Sequence, residues 1–413
     1  MRRLSDWQID TDRFRTRMFP ELMRRKSERM CRSPLAFLRG AAPLFYLLLA
    51  SIPELEAGPA GEGWLVGDAH LENFGAFQVE RRSEEENGKR EVVFDLNDFD
   101  EAVVGPLRWD VMRLTTSLVL GARELGIDGP SVLRLCERLI AHYVETSLRG
   151  APLPQVPAPV SALLERARTR SKKDLLEARS SGNGRERRLI RSEGYRELPP
   201  EIAARVPTTL LQYAGTLSAE EQPKQEQLQV MDVAHRVAGT GSLGCLRIAA
   251  LTRGKSEGDG AWLFDLKEQV EPSALLVSNA ARDAAPRPSP LDASGLAERP
   301  AQRVLRASKA CLSRPPRMLG FAELEGRSML IRRLTPQEDK LELARLRSAE
   351  LPELSAYLGA VLGAAHARGR MQATPAAWSC AEQRELLERA VLCAGLHEAC
   401  YLEFCLTAHP SRS

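Results

Sequence analysis

Residues 64–77 read WLVGDAHLENFGAF. An apolar, strand-type lead (Trp64, Leu65, Val66) enters a loop that carries an acid, an imidazole and a carboxamide at Asp68, His70 and Asn73. A second strand-type run, EVVFDLNDFD at 91–100, follows across a charged spacer whose Asn87-Gly88 pair is a hairpin turn signal. Strands placed here, between helical stretches, exclude an all-helical chain and bring two polar loops close along the sequence.

Helical patterns fill residues 1–60, where the apolar stretch SPLAFLRGAAPLFYLLLASI is broken near Pro43. They return from Trp109 to about Leu148. Residues 150–225 are mixed, with Pro-rich joints at 152–159 and 199–200. Near residue 230 the character changes. VMDVAHRVAGTGSLGCLRIAALTRG and AWLFDLKEQV read as successive strands, joined by the turn-prone GKSEGDG. A Pro- and Ala-rich segment at 279–300 leads to a short helix (AQRVLRASKACL), a strand pair (MLGFAELEGRSMLIRRL) and helices to the end. No internal repeat is present.

With 43% apolar and 27% charged residues, the 413-residue chain has an ordinary globular composition. The net charge of +3 makes no general case for nucleic acid. Arginines cluster at 13–39 and 166–196, either as solvated helix faces or toward an anionic ligand. The eight cysteines form no CxxC pair and no zinc spacing, which suits reduced thiols in a cytoplasmic protein. The N-terminus lacks a signal-peptide core, and the run from Ala41 to Ile52 is too short to span a bilayer. No membrane partner is expected.

The two polar loops suit magnesium–nucleotide chemistry. Mg²⁺ takes one or two hard oxygen ligands from protein and the rest from phosphate and water, and Asn73 and Asp98 would supply them. Asp68 would then lie near an acceptor hydroxyl as base or orienting group. The plainer alternative makes Asp68 and Asn73 turn residues and sets Asp95, Asp98 and Asp100 on a solvent face. A third segment, GTGSLG, matches GxGxxG through Gly239, Gly241 and Gly244, with Thr240 and Ser242 between them. Strand-forming residues follow it, so the glycines lie in a hairpin that covers phosphates rather than before a helix. Lys267, in the next strand, is the natural partner of the α- and β-phosphates. Gly254-Lys255-Ser256 is not a P-loop, because its leading glycine would fall on Ala249.

GDAHLENFG resembles the catalytic loop of aminoglycoside and choline-type phosphotransferases (HGDxHxxN), and NDFDEAVVGPLRWDV resembles their metal-binding segment. That resemblance makes Asp98 the metal aspartate and Asp110 the buried brace of the catalytic loop. The element order differs, since the glycine hairpin and lysine here come after the catalytic loop. SPLAFLRGAA, GDAHLENFG, FDLNDFDEA, GTGSLG and LKE together are similar to the bacterial family catalogued as domain of unknown function 2252. The resemblance implies an α+β, two-lobed, protein-kinase-like fold in circularly permuted order. Residues 1–225 would form a large lobe with the catalytic and metal loops, 226–335 a small β-rich nucleotide lobe, and 336–413 a hinge and returning helices. The implied cofactors are ATP and Mg²⁺, bound by Gly239, Thr240, Gly241, Ser242, Gly244, Lys267 and Arg333, with Asn73 and Asp98 on the metal and Asp68 and His70 in catalysis. The substrate would be a small-molecule or protein hydroxyl, with a nucleotide-binding pseudokinase or an AMP-transferase as alternatives.

Two departures stand out. Val66 replaces the first histidine of the pattern, and no glutamate is an obvious partner for Lys267. Glu271 and Glu298 are nearest, while the helix that follows carries Arg306 where an acid belongs. Despite 170–200 intervening residues, the Lys267 amine should lie within on the order of 10 Å of the Asp98 carboxylate. Asp95 should face another way, and the 355–368 helix should pack beneath the 64–75 loop.

Overall fold

The computed structural model describes residues 3–79, 91–255, 260–275 and 298–408. The Asn87-Gly88 turn signal lies outside them. The chain opens with helices α1 (Leu4–Arg15), α2 (Leu22–Met30), α3 (Pro34–Gly40), α4 (Ala42–Ser51) and α5 (Pro53–Glu56). Ser33 caps α3 by accepting from the Ala36 amide at 3.1 Å, and the chain turns through 85° between α3 and α4, just before Pro43. Then come strands β1 (Glu62–Leu65), β2 (Phe74–Val79), β3 (Glu91–Leu96) and β4 (Val103–Pro106).

The strand pairing differs from the sequence expectation. Trp64 and Leu65 pair with Val104 and Val103 of β4, and the partner of β3 is β2, the FGAFQV run that follows the loop. Glycine at 75 and the lack of polar–apolar alternation hid this strand, which is covered on both faces. β3 also ends at Leu96, so Asp98 and Asp100 stand in a loop beyond it.

Helices α6 (Arg108–Glu124), α7 (Gly129–Arg149), α8 (Ala158–Thr169) and α9 (Lys172–Glu177) follow, then short strands β5 (Ser180–Ser181), β6 (Arg188–Leu189) and β7 (Tyr195–Arg196), and helices α10 (Pro200–Ala203) and α11 (Val206–Ala214). The long strands β8 (Val230–Arg236), β9 (Arg247–Thr252) and β10 (Trp262–Gln269) form an antiparallel meander. Helix α12 (Pro300–Cys311) leads to β11 (Leu319–Leu324) and β12 (Arg327–Arg333), and β13 (Asp339–Lys340) pairs with β2. Helices α13 (Leu351–Gly369) and α14 (Cys380–Ala408) end the described chain. The main sheet has the order β11-β12-β10-β9-β8-β7.

Two cores result. One joins the helices with β1–β4. The other lies on one face of the main sheet, where Trp262, Phe264 and Leu266 pack with Val206, Leu210 and Tyr213 of α11. Residues 195–217 thus pack with the sheet, N-terminal to the boundary expected at 226. In the helical core α13 crosses α7 at close range. The expected stripe Leu358, Val361, Leu362 and Ala365 is buried, and a Cβ at Gly363 would sit 2.8 Å from the Tyr143 carbonyl. Among the described residues one helix, α14, is long and apolar enough to cross a membrane; a third of its apolar window is buried.

His397 of α14 is fully buried against Phe37 and Phe45, and neither ring nitrogen has a hydrogen-bond partner. Burial, with Arg113 nearby, pushes its pKa down to about 3. The unfolded chain, with a pKa of about 6.5, therefore binds the extra proton across the interval, and stability falls as pH drops from about 6.5 toward 3. His397→Phe should remove this part of the slope, and at pH 5 it should gain about 2 kcal/mol relative to its effect at pH 8. Urea denaturation at a series of pH values measures it. Parallel curves for the two proteins would count against the buried neutral imidazole.

Candidate functional site

The loop after β1 is built on one carboxylate. Asp110, in the first turn of α6 and 1% exposed, accepts from the amides of Val66 (2.6 Å) and Gly67 (3.0 Å). His366 of α13 donates through Nε2 to the same group at 3.1 Å, and its Nδ1 accepts from the Tyr143 hydroxyl at 3.0 Å. That single chain of hydrogen bonds assigns the tautomer. An imidazole from α13, some 300 residues later in the chain, thus joins the brace of this loop. Gly67 has φ +80° and its Cα faces the Glu101 carbonyl so closely that no side chain fits. The two polar loops therefore touch at their backbones.

Asp68 projects from this loop into the cleft and is paired with Arg113 of α6. The Arg113 Nε lies 2.8 Å from Oδ1, and Nη2 reaches the same oxygen. Burial pushes the Asp68 carboxyl up, and Arg113 offsets only part of that. His70 lies 3.9 Å from Asp68 and accepts the Glu72 amide on Nδ1. Burial, then the charges of Arg39 and Arg113, push its pKa well below the ordinary value, so the ring is neutral. Asn73 staples the two loops. Its Nδ2 donates to the carbonyls of Asp68 (3.1 Å) and Asp98 (3.0 Å), and its Oδ1 accepts the Asp98 amide at 2.9 Å.

Across the cleft stands Lys267 of β10, 2.8 Å from Asp98 Oδ2 and also paired with Asp100. Gln269 holds Asp100 at 2.9 Å. Burial works to raise the Asp98 carboxyl, but the Lys267 ammonium and a hydrogen bond from Asp100 outweigh it and hold it low. Asp100, pressed by burial and by the Asp98 charge, is pushed up to about 7. Two carboxylates on one amine give two hard-oxygen donors, and no group of three or more metal-type side chains occurs among the described residues. Such a pair fits an ion that takes its remaining ligands from phosphate and water. Asp95 faces elsewhere, toward Ser313 (3.0 Å) and Arg368 (3.5 Å).

Strand alternation sorts the roof of the cleft. Asp265 and Lys267 face the cleft, as do Arg332 and Leu330, which pair with them in register. Phe264 and its partner Arg333 face the opposite side, where the Arg333 guanidinium lies over the Trp262 ring at 4.8 Å. Arg333 is therefore not brought to the site; Arg332 is. Asp265 sits among Arg236 (2.8 Å), Arg247 (2.5 Å) and Arg332 (3.8 Å). Its burial is outweighed by Arg236 and Arg247, which hold it well below the carboxylate range. The glycine loop bridges β8 and β9, and Gly239, Thr240, Gly241 and Ser242 line the cleft. Gly244 does not; it packs against Thr16. The space enclosed is about 530 Å³.

Helix α12 presents no acid to Lys267. Instead Arg303 donates to the carbonyls of Asp100 (2.9 Å), Val270 (3.0 Å) and Ala102, so it grips the acidic loop itself. Glu298 pairs with Arg306 at 3.2 Å. A model of uncharacterized proteins conserved in bacteria (DUF2252) matches residues 17–407. The chain belongs to that family. No curated protein and no solved structure matches it. Apart from Arg15 at the end of α1, the family match spans the residues that line the cleft.

Arg113, Asp100, Arg303 and the Asp265 cluster escaped sequence reasoning. Only Asp100 had a signal, as the second acid of the Asp-Phe-Asp run. Structural and solvent-facing carboxylates should respond differently to removal. Asp110→Ala strands two buried amides and the His366 ring and should cost about 3 kcal/mol. Asp98→Asn leaves Lys267 paired with Asp100 and relieves the repulsion between the two acids, so it should cost under about 1 kcal/mol. Chemical denaturation compares them, and equal losses would contradict this division.

Proposed function

We propose that the protein is an ATP- and Mg²⁺-dependent phosphotransferase with a kinase-like, two-lobed fold in permuted order, acting on the hydroxyl of a small molecule rather than of a protein side chain. The meeting of Lys267 and Asp98 at 2.8 Å, across 169 residues of sequence, carries the reading. A glycine hairpin and a lysine on the third strand of the meander are parts by which kinases hold phosphates. They lie over a loop that offers Asp68, His70 and Asn73. The helix that follows the sheet in sequence, α13, returns to brace that loop through His366 and Asp110.

In this reading Lys267 binds the α- and β-phosphates, and Asp98 with Asp100 holds the ion. Asn73 sets the distance between the metal loop and the catalytic loop through its three backbone bonds. The bound ion supplies charge neutralisation on the transferring phosphates. Asp68 orients the acceptor hydroxyl, held at one angle by Arg113, and the neutral His70 offers Nε2 beside it. Most of the acceleration then comes from positioning and electrostatics rather than covalent chemistry. A cytoplasmic setting, without membrane or nucleic-acid partner, goes with this proposal.

One observation favours a second reading, a nucleotide-binding module without turnover. Arg113 takes up one oxygen of Asp68 with two donors, and α12 supplies an arginine where a catalytic kinase helix has its acid. The full-length chain, incubated with Mg-ATP and a metabolite extract and followed by mass spectrometry, separates these. Phosphate added to an acceptor supports the phosphotransferase, with Asp98→Asn and Lys267→Met each about 100-fold slower or worse. AMP added instead makes it a nucleotidyl transferase. Thermal stabilisation by Mg-ATP without product supports the module. Neither product nor stabilisation at millimolar Mg-ATP would overturn the nucleotide reading altogether.

A further inference from the structure

The N-terminal helices grip the glycine loop from outside the cleft. Lys26 Nζ donates to the Gly241 carbonyl at 3.1 Å, and Arg29 Nη1 donates to the carbonyl of Gly239. Lys26 is itself locked, since its ammonium pairs with Asp12 at 2.6 Å and both side chains are buried. Gln8 adds a bond to Asp12 at 3.0 Å. Gly244 closes the loop at φ +109°, where a Cβ would lie 2.7 Å from the Thr16 methyl. Phe19 stacks on His235 at 3.9 Å, and Leu22 packs with Val237 and Leu243 on either side of the glycines. The same segment reaches the opposite wall, where Arg15 donates to Glu101 at 3.1 Å and to Ser273 at 3.0 Å. One stretch of about thirty residues thus fixes the glycine loop relative to the acidic loop.

Peptide geometry converts this grip into a direction. In a trans peptide the N–H points opposite to the preceding carbonyl, and no described peptide bond is cis. Neither Lys26 nor Arg29 lines the cleft, whereas Thr240 and Ser242 do. With the carbonyls of Gly239 and Gly241 drawn outward, the amides of Thr240 and Ser242 are turned inward. Among the described residues neither amide has a protein acceptor, although Leu243 and Cys245 just beyond donate to Thr240 O (3.3 Å) and Ser242 O (3.1 Å). Amides turned the same way on a short loop form a nest for an anion.

We infer that Lys26 and Arg29 are positioning residues that present the Thr240 and Ser242 amides to the phosphate groups of the nucleotide. The inference rests on the phosphotransferase reading and adds that the N-terminal helices belong to the phosphate site. Arg29 is the safer position to change, because it is partly exposed, and Arg29→Lys is its conservative control. Lys26→Met combined with Asp12→Asn removes the buried pair together, so that no lone charge is left inside.

The test is calorimetric titration of the full-length chain with Mg-ATP, magnesium tripolyphosphate and adenosine. Arg29→Met should weaken Mg-ATP and tripolyphosphate by about tenfold while leaving adenosine unchanged, and Arg29→Lys should restore most of the loss. The double variant should show the same selectivity. A folded Arg29→Met protein whose tripolyphosphate affinity stays within about twofold of the parent overturns the inference and leaves the function proposal standing. Loss of adenosine binding in the same proportion overturns it too, since that marks general damage to the cleft. If the parent chain binds neither Mg-ATP nor tripolyphosphate, the phosphotransferase reading fails and this inference falls with it.

Discussion

Asp110 carries a negative charge into a part of the molecule that excludes water, and its two oxygens are met by two amides and an imidazole. An isolated carboxylate there would be prohibitive, so those donors are obligatory partners. Their arrangement ties together the end of β1, the start of α6 and the end of α13, which are far apart in sequence. Because Val66 and Gly67 are fixed, Asp68 leaves the loop at a defined point; because Gly67 lies against the Glu101 carbonyl, the acidic loop is fixed as well. Asn73 repeats the logic with a neutral group, whose three side-chain bonds go to the backbones of the two loops. The cleft floor is rigid before any ligand enters.

Much of this was readable in the sequence where one residue type answers one physical need. The glycines between two strand-forming runs marked a hairpin, and β8 and β9 do flank them. Asp110 was legible through its place after GPLRW, and the apolar stripe on α13 announced a helix buried on that face. The β2 strand was not legible, because FGAFQV is covered on both sides and shows no alternation of polar and apolar residues. Arg333 was misplaced for a simpler reason. Two adjacent arginines on a strand point to opposite faces, and only the pairing of Asp265 with Arg332 decides which one meets the cleft.

What the sequence withheld are interactions between segments that have no reason, locally, to be charged. Arg113 lies within an otherwise apolar helical run and reads as a solvated position, yet it is fully buried on Asp68 and the Leu38 carbonyl. Asp265 looks like a polar residue of an edge strand, yet β10 is central and the acid is surrounded by guanidinium groups from three strands. Arg303 looks like one more arginine of an amphipathic helix, but its Nη1 and Nη2 bonds go to backbone carbonyls. Each is a buried charge whose necessity appears only once its partners have been brought together.

The distribution of these charges gives the cleft a polarity. On the roof, Arg236, Arg247 and Arg332 surround Asp265, and Glu338 takes up Arg332 at 3.0 Å, which leaves one guanidinium in excess. On the floor side, Asp98 and Asp100 share the single ammonium of Lys267, which leaves an acid in excess and raises the pKa of Asp100. A bare polyphosphate would be drawn toward the roof and repelled by the floor. A divalent ion alone would find only two carboxylates, already engaged with an amine. Under the proposed function the two would exchange like for like: phosphate oxygens would take over Lys267, and the acids that Lys267 releases would hold the ion. The field across the cleft would then orient such a pair with its cation toward Asp98 and its anion toward the strands, whatever base or acceptor accompanied it.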